Sequence, residues 1–200
     1  MNNELREYLE KIEEHIDFAR RIHRGMPFIF WAGFIQLIYT FASFLTNSIS
    51  ELAVGIGIGL ALSIWIIFEQ TRTSRIIERL EIVLGRRPRG SIRYIILFQI
   101  LSWPAAALIT FAAINLFPKI LPQYSWMLVF TGTGISLLML VDRLTTGQID
   151  VEMIPSAILP FLAVPFIHNA PMPQEDFGIM IVSSSMAITG FLYLRRSFKD

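Results

Sequence analysis

Six runs of uncharged, mostly apolar residues divide this chain: Pro27 to Thr46, Leu52 to Phe68, Tyr94 to Phe117, Tyr124 to Val141, Met153 to His168 and Phe177 to Leu194. Helices over these runs, at 1.5 Å of rise per residue, reach ~24 to 36 Å, which matches a hydrocarbon core of ~30 Å once tilt and snorkelling flanks are allowed. Such runs are too long for the core helices of a 200-residue soluble domain. Composition points the same way, since only 16% of the residues are charged, against ~25% in an ordinary soluble domain. The expected fold is all-α, a polytopic bundle of six transmembrane helices.

Charge sorting sets the expected orientation, because cytoplasmic segments retain Lys and Arg during insertion. With six spans, 16 of the 17 basic residues fall on one side and only Lys119 lies opposite. Removing any one span would move everything downstream to the other face and destroy this asymmetry. The expectation is a multi-pass protein of the cell membrane with cytoplasmic N- and C-termini. Residues 1–26 then form a cytoplasmic amphipathic helix, 27–194 the six-helix transmembrane domain with a cytoplasmic loop at 69–93, and 195–200 a cytoplasmic tail. The densely charged first 26 residues lack the apolar core of a secretory signal, so the first span is expected to direct insertion.

Along Asn3 to Arg24, Leu5, Leu9, Ile12, Ile16, Ala19 and His23 recur at alternating spacings of 4 and 3. That is a two-position heptad stripe on one helix face. Acidic residues lead this helix and Arg20, Arg21 and Arg24 close it, which complements the helix dipole. Gly25 is expected to stop the helix and Pro27 to open the first span at a new angle. An apolar seam on a cytoplasmic helix needs a cover, and Leu5, Leu9, Ile12, Ile16 and Ala19 are its candidate partner or dimer surface. A second cytoplasmic helix is expected from Thr71 to Leu84, stopped by Gly85. In the polybasic loop that follows, Arg86, Arg87, Arg89 and Arg93 are candidate contacts for anionic headgroups of the bilayer, each worth ~1 kcal/mol near the surface.

Catalytic and ion-translocating chemistry finds little support. No Asp, Glu, Lys, Arg or His lies midway through any run, whereas proton and ion pumps keep such a group inside the membrane. There is no cysteine, and the three histidines (His15, His23 and His168) form neither HExxH nor a serine–histidine arrangement. No catalytic residue, metal ligand or cofactor site is assigned, and the net charge of +1 gives no reason to expect nucleic-acid binding. The glycines at Gly55, Gly57 and Gly59 sit within an apolar run, so Gly55 and Gly59 form a GxxxG packing face rather than a phosphate loop. Ser183, Ala187 and Gly190 provide a similar small-residue face on the sixth run. Gln36, Gln99 and Asn115 are the candidate polar path, because amides can bind a solute without carrying charge.

The fifth run contains Pro155, Pro160 and Pro165, each lacking an amide donor, so a kinked or partly unwound span facing the bundle interior is expected, with these prolines as a candidate hinge. In layout the chain resembles an ABC-2-type export permease: an amphipathic cytoplasmic helix, two spans, a cytoplasmic helix suited to coupling, and a broken fifth span. That resemblance implies the membrane subunit of a transporter powered by a separate cytosolic ATPase. The other expectation is a non-catalytic scaffold or regulatory protein that recruits a cytosolic partner, or self-associates as a homodimer, through the N-terminal heptad helix.

Overall fold

The computed structural model describes residues 3–44, 68, 71–73, 75–76, 79, 82, 92–147 and 149–198. These contain five α-helices: α1 (Asn3–Phe44), α2 (Ile92–Leu116), α3 (Trp126–Thr146), α4 (Ile154–Ala163) and α5 (Gln174–Ser197). Short 3-10 helices at Gln123–Ser125, Val151–Met153 and Val164–Asn169 join them. Among the described residues there is no strand, and Phe68, Thr71, Arg72, Thr73, Arg75, Ile76, Arg79 and Ile82 are helical as well. The all-α class therefore holds.

Three stretches, Gln123–Leu144, Val151–Asn169 and Gln174–Ser197, are long and apolar enough to cross a bilayer, and Leu101–Leu116 is a shorter apolar helix. Leu108 and Phe111 on α2 are 72% and 71% exposed. Side chains of this size gain ~1.5 to 3 kcal/mol on leaving water, so a helix that turns them outward is built for lipid. By length and composition this is a membrane protein.

α1 corrects the expected break at Gly25. It runs through Gly25 and Pro27 as one helix of 42 residues. Proline removes the amide that would bond four residues back, to the carbonyl of His23, at a cost of ~3 kcal/mol in an isolated helix. Tertiary packing offsets that cost here. Gly25 is not in the left-handed conformation of a helix stop; among the described glycines only Gly147 has a positive φ. A Cβ at Gly25 would lie 2.7 Å from Cβ of Tyr193 and 3.3 Å from the carbonyl oxygen of Gly190. On the facing helix, a Cβ at Gly190 would run into Ile29 and come within 3.2 Å of the Gly25 carbonyl. The glycine pair lets α1 and α5 approach backbone to backbone.

α5 packs against α1, α3 and α4, and α2 lies on α3. The core gathers Ala32 of α1, Leu128 and Val129 of α3, Ala163 of α4, Val164 and Ile167 of the 3-10 turn after it, and Val182 and Met186 of α5. Gly132 and Gly134 on α3 receive the rings of Phe161 and Trp103. The proline-rich segment is part α and part 3-10. Pro155 stands in the first turn of α4, where the missing amide costs nothing. The α-helix gives way to the 3-10 turn at Val164, one residue before Pro165. Only one face of this segment is interior: Ser156, Ala157, Pro160, Ala163, Val164 and Ile167 are buried, while Ile158, Leu162 and Phe166 face outward. Ser156 ties it to α5, its amide donating to Thr189 Oγ1 at 3.3 Å and its hydroxyl lying 2.6 Å from the same atom.

Candidate functional site

α1 and α5 run antiparallel: the N-terminal half of α1 meets the C-terminal end of α5, and contacts farther along α1 fall nearer the start of α5. Phe18 meets Phe198 edge to face with ring centres 5.8 Å apart. Arg21 donates to the carbonyl of Arg196 at 3.0 Å. Gly25 lies on Gly190, Phe28 stacks on Tyr193 at 6.0 Å, and Gln36 donates to Ser183 at 2.6 Å. Residues 3–17 of α1 continue past Phe198, the last described residue beyond α5. At 1.5 Å per residue that is an overhang of ~22 Å.

An ionic clasp fixes the base of this overhang. Gly147, with φ of 72°, terminates α3 and donates its amide to the Arg143 carbonyl at 2.9 Å. The chain then turns back, bringing Asp150 and Glu152 against α1 and α5. One carboxylate oxygen of Asp150 accepts both from the Arg24 guanidinium and from the Tyr193 hydroxyl, the latter at 2.9 Å. Arg196 donates to Oε1 of Glu152. Burial works against the Arg24 charge, yet Asp150 above all, with Asp142, holds the guanidinium pKa above its usual range. The Glu152 side chain is only 8% exposed, and its Oε2 has no hydrogen-bond partner among the described residues. Such an arrangement joins helices: each described carboxylate of the pair sits on a guanidinium rather than beside a nucleophile or base. Among the described residues no group of three His, Asp or Glu side chains could hold a metal ion.

Beyond the clasp, the seam residues of the overhang are used unequally. Ile16 is covered at 5% exposure, Leu9 is half-buried, and Ile12 and Ala19 are exposed; Leu5 lies in α1 with its side chain outside the described ones. Tyr8, Lys11, Ile12, His15, Ile16 and Ala19 border a groove of about 320 Å³. Around it the exposed charges are mainly acidic, Glu7, Glu10 and Glu14, with Lys11 paired to Glu7 at 2.8 Å.

Two members of the candidate polar path have described hydrogen bonds. Gln36 bonds Ser183 on α5, and Asn115 donates to the carbonyl of Phe111 in its own helix at 2.7 Å. Gln99 and Arg93 lie in α2, with side chains outside the described ones. In the small-residue face of α5, Ser183 and Gly190 are buried and Ala187 is exposed. Of the candidate hinge, Pro160 is buried, Pro155 half-buried and Pro165 exposed. Gly55, Gly59, Arg86, Arg87 and Arg89 fall outside the described residues.

Sequence reasoning missed the clasp of Arg24, Asp150, Glu152, Tyr193 and Arg196. One signal was present: Asp142, Asp150 and Glu152 are the only acidic residues between Glu81 and Glu175, and all lie on the expected basic side. Carboxylates held amid so many arginines invite pairing. No known protein family, no curated protein and no solved structure matches this chain.

Proposed function

We propose that this chain is a non-catalytic, multi-pass scaffold or regulatory protein of the cell membrane, with six spans and both termini cytoplasmic, that presents the N-terminal half of α1 to a protein partner. The observation that carries this reading is the overhang: a helix rooted by a glycine contact and an ionic clasp, continuing ~22 Å beyond α5 with Ile12 exposed. A rooted helix loses little freedom on docking, which favours binding. The basic loop at Arg86, Arg87, Arg89 and Arg93 complements this by holding the cytoplasmic face near anionic headgroups. Transport driven by a separate ATPase is the less favoured reading, because Gln36 and Asn115 serve neighbouring groups rather than a shared passage.

The test is copurification of the full chain from its native membrane with and without Tyr8→Ser and Ile12→Ser, both exposed positions. Loss of one protein from the purified set, with insertion unchanged, is the expected result. An unchanged set would refute docking through this face, and a retained ATPase stimulated by the chain would favour transport. Accessibility tags at Pro118–Gln123 and Asn169–Asp176 check the orientation; labelling of either from the cytosol would overturn it.

A further inference from the structure

Arg195 and Arg196 stand side by side in the last turn of α5 but are used differently. Arg196 donates to the buried Glu152, whereas Arg195 is exposed and makes no hydrogen bond or ion pair with a described residue. Helical spacing sets Arg195 above Phe191, Ile188, Ala187 and Ser184, all exposed, on the side of α5 that turns away from the core. From Ser184 to Arg195 is ~16 Å at 1.5 Å per residue, close to half of a ~30 Å hydrocarbon core. The face therefore covers one leaflet, with its cation at headgroup level.

Lower on this face lies a notch. Ile29 of α1 meets Gly190, and Gln36 meets Ser183, so Gly33 between them comes level with Ala187. Their chain neighbours Ala32 and Met186 belong to the core, which puts Gly33 and Ala187 on the outer edge of the seam between α1 and α5. A Cβ at Gly25 would strike Tyr193, whereas a Cβ at Gly33 would meet nothing within 4 Å. Two exposed positions without bulk leave the seam open about 12 Å below Arg195.

We infer that this face seats an anionic phospholipid, its phosphate on Arg195 and one acyl chain lying past Phe191 into the notch at Gly33 and Ala187. The phosphate finds a guanidinium that no described carboxylate neutralises, and a planar guanidinium suits a phosphate's paired oxygens. Arg21 adds positive charge at the same level, where it donates to the Arg196 carbonyl at 3.0 Å. The acyl chain finds apolar surface and open space. A protein helix packed on this face would fill the notch but would also have to bury the Arg195 charge; a lipid answers both features at once. The site is separate from the docking reading of α1, which concerns residues 3–17.

The experiment titrates the detergent-purified full chain with phosphatidylglycerol or phosphatidylcholine of the same acyl chains and follows bound lipid by native mass spectrometry. The first phosphatidylglycerol should bind about fivefold more tightly than the first phosphatidylcholine, the preference one basic residue gives near a membrane surface. Arg195→Gln should abolish that preference, and Arg143→Gln, at the exposed arginine in the last turn of α3, should keep it. Gly33→Leu should weaken the first binding of both lipids without lowering the unfolding temperature, because the new side chain enters open space. Ala187→Leu fills the notch from the other wall and should act alike, which separates occlusion from any local effect of replacing a glycine. A preference that survives Arg195→Gln, or unchanged lipid binding in both notch variants, would overturn the inference. A change of oligomeric state on filling the notch would overturn it equally, since a protein helix would then be the occupant.

Discussion

The two halves of α1 belong to one unbroken helix but obey different constraints. From Phe18 to Gln36 its side chains are committed to α5 and to the chain between α3 and α4: a backbone approach at Gly25, an ion pair at Arg24, an amide bond at Gln36. From Asn3 to Asp17 the helix carries a seam in which Ile16 is covered and Ile12 is open. Helical periodicity alone does not separate these halves. The difference lies in what faces them, so the inner half is sensitive to volume and charge while the outer half is sensitive to partners.

The largest expected effect tests the inner half. Gly190→Leu puts a side chain where Ile29 and the Gly25 carbonyl already stand, and should lower stability by about 3 kcal/mol, read as thermal unfolding in detergent. A neutral outcome would mean that α1 and α5 do not touch here. Next comes Arg196→Ala, which strands the buried Glu152 carboxylate and should cost about 2 kcal/mol, less than a fully buried pair because the arginine side chain is 55% exposed. Adding Glu152→Gln should recover part of that loss; a purely additive double variant would argue that the two groups are not coupled. Gln36→Leu should cost about 1 kcal/mol, with Ser183→Ala adding little once it is made. Smallest of all, Ile12→Ser should change stability by less than about 0.5 kcal/mol while weakening association, and a large stability loss there would erase the distinction between the halves.

Much of the architecture was legible because lipid imposes a simple rule on sequence. The runs that include Tyr124–Val141, Met153–His168 and Phe177–Leu194 all correspond to stretches long and apolar enough to cross a bilayer. The departure from regular α-helix in the fifth run was also readable, since a missing amide is a local property of proline. Gly25 was misread for the complementary reason. Gly-Met-Pro has the local form of a stop, but the conformation was decided by Gly190 and Tyr193, more than 160 residues away. The clasp was hidden likewise: Arg24 and Asp150 are 126 positions apart, and no periodicity links a cytoplasmic arginine to a particular carboxylate. Seam residues could be placed on one face from spacing, yet which of them stayed open depended on tertiary packing that spacing does not encode.

The conversion from α to 3-10 geometry after Ala163 bears on bilayer thickness. A 3-10 turn advances ~2.0 Å per residue against ~1.5 Å in an α-helix. With 3-10 turns at Val151–Met153 and Val164–Asn169 around the ten-residue α4, the stretch from Val151 to Asn169 extends to about 33 Å rather than about 28 Å. The prolines thus lengthen the shortest hydrophobic run just enough to match its neighbours. A variant freed of Pro160 and Pro165 that coiled fully into α-helix would be the short pillar of the bundle, and its membrane would have to thin locally or its host compartment be a thinner one.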